Sequence, residues 1–99
     1  MSLNRYDAKR DQNEPEIVST LRSVGAAVWL LSRPCDLLVG FRGRFVTMEV
    51  KKPGPPSAQR LTLLEDIYAA TCASMGLPHY IVSSIAEALA AIGAVEAEG

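Results

Sequence analysis

Ninety-nine residues suffice for one domain and leave little room for a second, so any chemistry has to sit on a single core. With 48% hydrophobic and 21% charged residues the composition is that of a globular chain, not a disordered one, and the longest apolar run, Ala26 to Leu31, is far too short to cross a membrane. The formal net charge of −1 hides an asymmetry: every Lys and Arg stands at or before Arg60, leaving +4 over residues 1–60 and −5 over residues 61–99, so a polyanion would prefer the first part.

Residues 1–12 are mostly polar and charged without periodicity and read as an N-terminal arm, residues 13–93 as the single domain, and residues 94–99 as a tail. The opening Met-Ser-Leu and the closing Glu-Gly look appended for expression, and the lack of an apolar leader gives a cytoplasmic expectation. Asn13 is placed to cap a first helix whose first turn suits Pro15 and is favoured by Glu14 and Glu16. Ile17, Val18, Leu21 and Val24 form its apolar stripe, and Gly25 ends it.

Ala26–Leu31, apolar and bounded by Gly25 and Pro34, fits a buried strand, with Trp29 expected in the core. Asp36–Phe41 and Arg44–Lys51 follow as strands joined by Arg42-Gly43, a two-residue link of the tight-hairpin kind. If Phe41 faces Arg44, then Leu38 meets Thr47, Leu37 meets Met48 and Asp36 meets Glu49. Two carboxylates then oppose each other, a destabilising pair that calls for a neutralising partner. Alternation sends Val46, Met48 and Val50 to one face and Thr47, Glu49 and Lys51 to the other, so Lys51 shares the face of both acids.

The Lys52–Ser57 segment, rich in proline, cannot extend a strand and reads as a loop. Thr62 and Glu65 have capping-box spacing for a long helix, with Leu64, Ile67, Tyr68, Thr71, Cys72 and Met75 along one side and Gly76 and Pro78 at its end. His79–Val82 is a final strand, its histidine structural in expectation. Ser84 and Glu87 repeat the capping-box spacing before a last helix bearing Ile85, Leu89 and Ile92 and closed by Gly93. Cys35 and Cys72 lack metal or redox spacing and read as reduced thiols.

The order helix, three strands, helix, strand, helix, with Cys35-Asp36-Leu37-Leu38-Val39-Gly40 before a tight turn and Met48-Glu49-Val50-Lys51-Lys52 after it, resembles the PD-(D/E)XK nuclease superfamily. Within it the chain resembles the virus-type replication-repair nuclease (VRR-NUC) domains of phages and bacteria, over about residues 10–93. Asn13-Glu14-Pro15-Glu16-Ile17-Val18 adds to the likeness, and Pro55-Pro56-Ser57 through Leu61-Thr62 does so more weakly.

The resemblance implies an α/β restriction-endonuclease-like core with a mixed central sheet flanked by helices, and a DNA endonuclease dependent on Mg²⁺ or Mn²⁺. It implies that Asp36 and Glu49 hold the cation, with the Val50 carbonyl and Glu14 as further ligands. Two hard carboxylate oxygens suit Mg²⁺, which keeps several waters and bridges to phosphate. Lys51 would hold the attacking water or offset charge on the phosphate oxygens. The products implied are a 5′-phosphate and a 3′-hydroxyl.

Free-standing members resemble resolvases of branched DNA, including four-way junctions, that act as homodimers; no membrane association is expected. Lys52 and Arg60, with Gln59 between them, are candidates for nucleic-acid contact, and Arg33, Arg42 and Arg44 lie nearby as further basic groups. In this sequence Cys35, not proline, precedes Asp36. Where relatives carry a glutamine near the start of the following helix, this chain offers Glu65, Asp66 or Gln59, and the role stays open between them. Two rival readings are a non-catalytic DNA-binding module of the same fold, and a structural or inhibitory partner protein whose acidic second half engages another protein.

Overall fold

Pro15, with its fixed φ and no N–H to satisfy, opens α1 (Glu14–Ser23), and the helix turns Ile17, Val18 and Leu21 into the core. The computed structural model describes residues 11–94; residues 1–10 of the expected arm and 95–99 of the expected tail lie outside the described residues. Asn13 departs from the capping expectation. Its backbone is helical (φ −81°, ψ −10°), and its side chain makes no cap hydrogen bond. Its amide instead donates to the Lys51 carbonyl at 3.1 Å and the Ser83 carbonyl at 3.0 Å, binding the start of α1 to the ends of two strands.

After α1 come β1 (Ala27–Leu30), β2 (Leu37–Phe41) and β3 (Arg44–Val50). They form an antiparallel meander in which Phe41 faces Arg44, Leu38 faces Thr47 and Leu37 faces Met48, the register expected from the turn. Arg42 (φ 50°) and Gly43 (φ 83°) both take positive φ, which a tight hairpin with the right-handed strand twist requires. The strands are one or two residues shorter than the apolar runs suggest. Asp36 stands just before β2, and Lys51 just after β3.

A 3₁₀ turn (Pro56–Gln59) and α2 (Leu63–Met75) make the crossover that lets β4 (His79–Val82) pair parallel to β3, and α3 (Ile85–Ile92) follows. The sheet order is β1-β2-β3-β4. This is an α/β arrangement with a mixed sheet, in the element order read from the sequence. Helices α1 and α3 pack together on one face, over Val28, Leu37, Val39, Val46, Met48, Val50 and Val82. Helix α2 lies across the other.

That second face is thinly covered, and β1 is not the buried strand expected of Ala26–Leu31: of its four residues only Val28 is buried. Trp29 is 49% exposed and not part of the core, touching Phe45 with ring centroids 6.0 Å apart. Of the α2 stripe only Cys72 is buried, while Leu64, Ile67 and Met75 face outward. Alternation and helical spacing say which residues share a face; they do not say how much of that face another element covers. The Thr62–Glu65 capping box forms in full, whereas at α3 Ser84 accepts from the Glu87 N–H but Glu87 reaches the Ser83 N–H instead of closing the box.

Candidate active site

Met48 and Val50 are buried in the core, so alternation turns Thr47, Glu49 and Lys51 toward α2. Thr47 anchors this face: its hydroxyl lies 3.1 Å from the Tyr68 hydroxyl and 2.8 Å from His79 Nδ1, and the His79 and Tyr68 rings meet edge to face. His79 is thus structural, and burial lowers its pKa, keeping it neutral.

Asp36 is not left opposing Glu49 across a ladder. Its Oδ2 accepts the Val50 N–H at 2.8 Å, continuing the strand contact with a side chain where backbone pairing has stopped. Glu49 is only 3% exposed. Burial first, then hydrogen bonding and charge from Glu65 and Asp36, pushes its pKa up to about 9, so the like charges are relieved by a retained proton.

Lys51 Nζ donates to Glu65 Oε1 at 2.9 Å and lies 4.0 Å from Glu49 Oε2. Burial works to lower the lysine pKa, but Glu65 and Glu49 outweigh it and the net shift is upward. Glu65 shows the converse. Burial would raise it, yet the Thr62 N–H, Lys51 and Glu49 bring it down to about 2. The pair is an ammonium and a carboxylate.

The expected trio of Asp36, Glu49 and Lys51 therefore meets on one face, and Glu65 joins it from α2. Glu65 was legible as a capping residue, and its use by Lys51 follows only from α2 crossing this face. Asp11, read as part of the arm, is a further acid here: burial raises its pKa, and it feels the charges of Lys51, Asp36, Lys52 and Glu65. Nothing in its sequence context marks it.

Glu14 is 2% exposed in the first turn of α1, which Asn13 ties to the end of β3. Gln59 is held internally, donating to the Lys52 carbonyl at 2.6 Å and accepting from the Ser83 hydroxyl at 2.9 Å. Lys52 and Arg60 are exposed on either side of the 3₁₀ turn. Cys35, buried beside this site, has its thiol pushed up to about 11, by burial first and then by Glu49, and is no nucleophile near neutral pH.

The donors present suit a hard divalent cation: carboxylates of Asp36 and Glu49, with the Val50 backbone beside them. Among the described residues, no group of three or more His, Cys, Asp or Glu side chains converges as a ready-made metal cage. A cation held through one or two carboxylates and its own waters, the manner of Mg²⁺, does not require one.

Asp36 and Glu49 open into a cleft of about 440 Å³ between the β1–β2 loop and α2. No helix among the described residues is long and apolar enough to cross a membrane. Compared with protein-family models, curated proteins and solved structures, the chain matches none.

Proposed function

We propose that this protein is a metal-dependent, structure-selective DNA endonuclease of the VRR-NUC type in the PD-(D/E)XK superfamily, hydrolysing phosphodiester bonds in branched DNA such as four-way junctions. The observation that carries the reading is the meeting of Asp36, Glu49 and Lys51 on one sheet face beside an open cleft. The element order and the hairpin register support it.

Asp36 and Glu49 would hold Mg²⁺ or Mn²⁺, with the Val50 carbonyl and Glu14 as further ligands by resemblance. Bound there, the cation would polarise the phosphoryl group and make water a better nucleophile. Glu49 must release its proton to serve. Lys51 is protonated and held by Glu65, so it acts as a hydrogen-bond donor that orients water and offsets charge on the phosphate oxygens, not as a base. Val50 N–H fixes one Asp36 oxygen and so orients the carboxylate that would meet the cation. Lys52 and Arg60 would contact backbone phosphates, while Gln59 shapes the turn between them.

By the same resemblance the working unit is a homodimer. Sedimentation showing only monomer at working concentration would count against paired cutting. The runner-up reading is a DNA-binding module of the same fold without turnover. Titration with Mn²⁺ separates the two: in an enzyme, Asp36→Asn and Glu49→Gln lose cation binding and cleavage together while keeping the fold.

A further inference from the structure

The cleft beside the acids is lined by both charged and apolar side chains. Asp36 and Glu49 line it, α2 contributes Leu64, Ile67 and Tyr68 together with Glu65, and the loop before Asp36 contributes Pro34. Leu64 and Ile67 are 63% and 52% exposed, large apolar side chains left more than half uncovered by the described residues. Arg33 lines the same cleft from the loop and is exposed.

We propose that this cleft seats one unpaired nucleobase of a DNA strand, adjacent to the phosphate presented to Asp36, Glu49 and Lys51. The inference rests on the nuclease reading and names its substrate feature. A volume of about 440 Å³ falls within the size range of small-ligand sites and is too small for a duplex. The lining combines what a nucleotide needs, apolar side chains for a base and the acids that would meet a phosphate through the cation. Stacked bases in a duplex cannot enter unless flipped out, so unpaired positions are selected by the unstacking they avoid. Pro34, Leu64 and Ile67 line the cleft together, and the exposed Arg33 suits a flanking phosphate.

The test is binding, read without turnover. Two short duplexes carry the fluorescent adenine analogue 2-aminopurine, in one as an unpaired bulge and in the other base-paired, with Ca²⁺ replacing Mg²⁺. The unpaired DNA is expected to bind roughly tenfold more tightly, the order that seating one base supplies, with a change in 2-aminopurine emission on binding. The double variant Leu64→Ala/Ile67→Ala should lose both effects. Met75→Ala, exposed on the same helix but outside the cleft, should keep them.

Equal affinity for the two DNAs, or an emission change that survives the double variant, overturns the proposal. So does a double variant that converts a dimer to a monomer with base seating unchanged, which would assign the apolar wall to a second copy. Base seating without cleavage of any DNA in Mg²⁺ supports the slot and removes the nuclease reading. Cleavage without base seating does the reverse.

Discussion

Lys51 Nζ and Glu65 Oε1 lie 2.9 Å apart, and the same carboxylate oxygen accepts the Thr62 N–H at the start of α2. One side chain thus caps a helix and holds the lysine that follows β3. Replacing Glu65 by alanine should remove both contacts and cost about 1 kcal/mol, a fall in Tm of about 4–8 °C for a domain of this size. Glu65→Gln keeps an oxygen for the Thr62 N–H and should recover most of that loss. Thermal melts of the two variants check this, and equal losses would mean that the cap contributes nothing.

Glu49 sets a pH dependence. Its folded pKa, about 9, lies above the ordinary 4.5, so the folded state binds a proton that the unfolded chain has released. Without cation, stability should therefore decline as pH rises between those values. His79, with its lowered pKa, acts in the opposite sense below its usual 6.5, and the Cys35 thiol acts only above its usual 9. Melts in EDTA from about pH 7 to about pH 8.5 isolate the Glu49 contribution. The slope should flatten in Glu49→Gln. Added Mg²⁺ should raise the wild-type Tm more at the upper end, because cation and proton compete for the same carboxylate.

Asn13 donates from one amide to the carbonyls of Lys51 and Ser83. Asn13→Ala leaves both without that donor, and urea denaturation should show a loss of about 1–3 kcal/mol. Its Oδ1 is buried without a hydrogen-bond partner, so the stabilisation comes from the donor side alone. A change within about 0.5 kcal/mol, the range of ordinary surface substitutions, would remove this clamp from the account.

The two sheet faces should respond unequally to truncation. Leu37→Ala, in the sealed core under α1 and α3, should cost about 2–5 kcal/mol. Trp29→Ser, on the open face, should cost far less, its partner being the still more exposed Phe45. Comparable losses would place Trp29 in a buried environment after all.

These contrasts show how far the sequence could be read. Arg42-Gly43 is short enough to set the hairpin register, and a period of two then puts Glu49 and Lys51 on one face, so most of the site follows from local rules. The cover on that face does not. The exposure of Trp29, Leu64 and Ile67 depends on where α2 comes to rest, which no spacing encodes. Asn13 has the composition of a helix cap, yet two strand-end carbonyls brought near by tertiary packing claim its amide. Asp11 and Glu65 join the acids for the same reason, through contacts between elements distant in the chain.

The most direct test is cleavage of a labelled four-way junction beside linear duplex and single strand, in Mg²⁺, Mn²⁺ or EDTA, by wild type and Lys51→Ala. The account predicts junction cutting that needs the divalent cation and is lost in the variant, with the fold intact by circular dichroism. Junction binding without any cutting in either metal, or cutting that Lys51→Ala leaves unchanged, would contradict it.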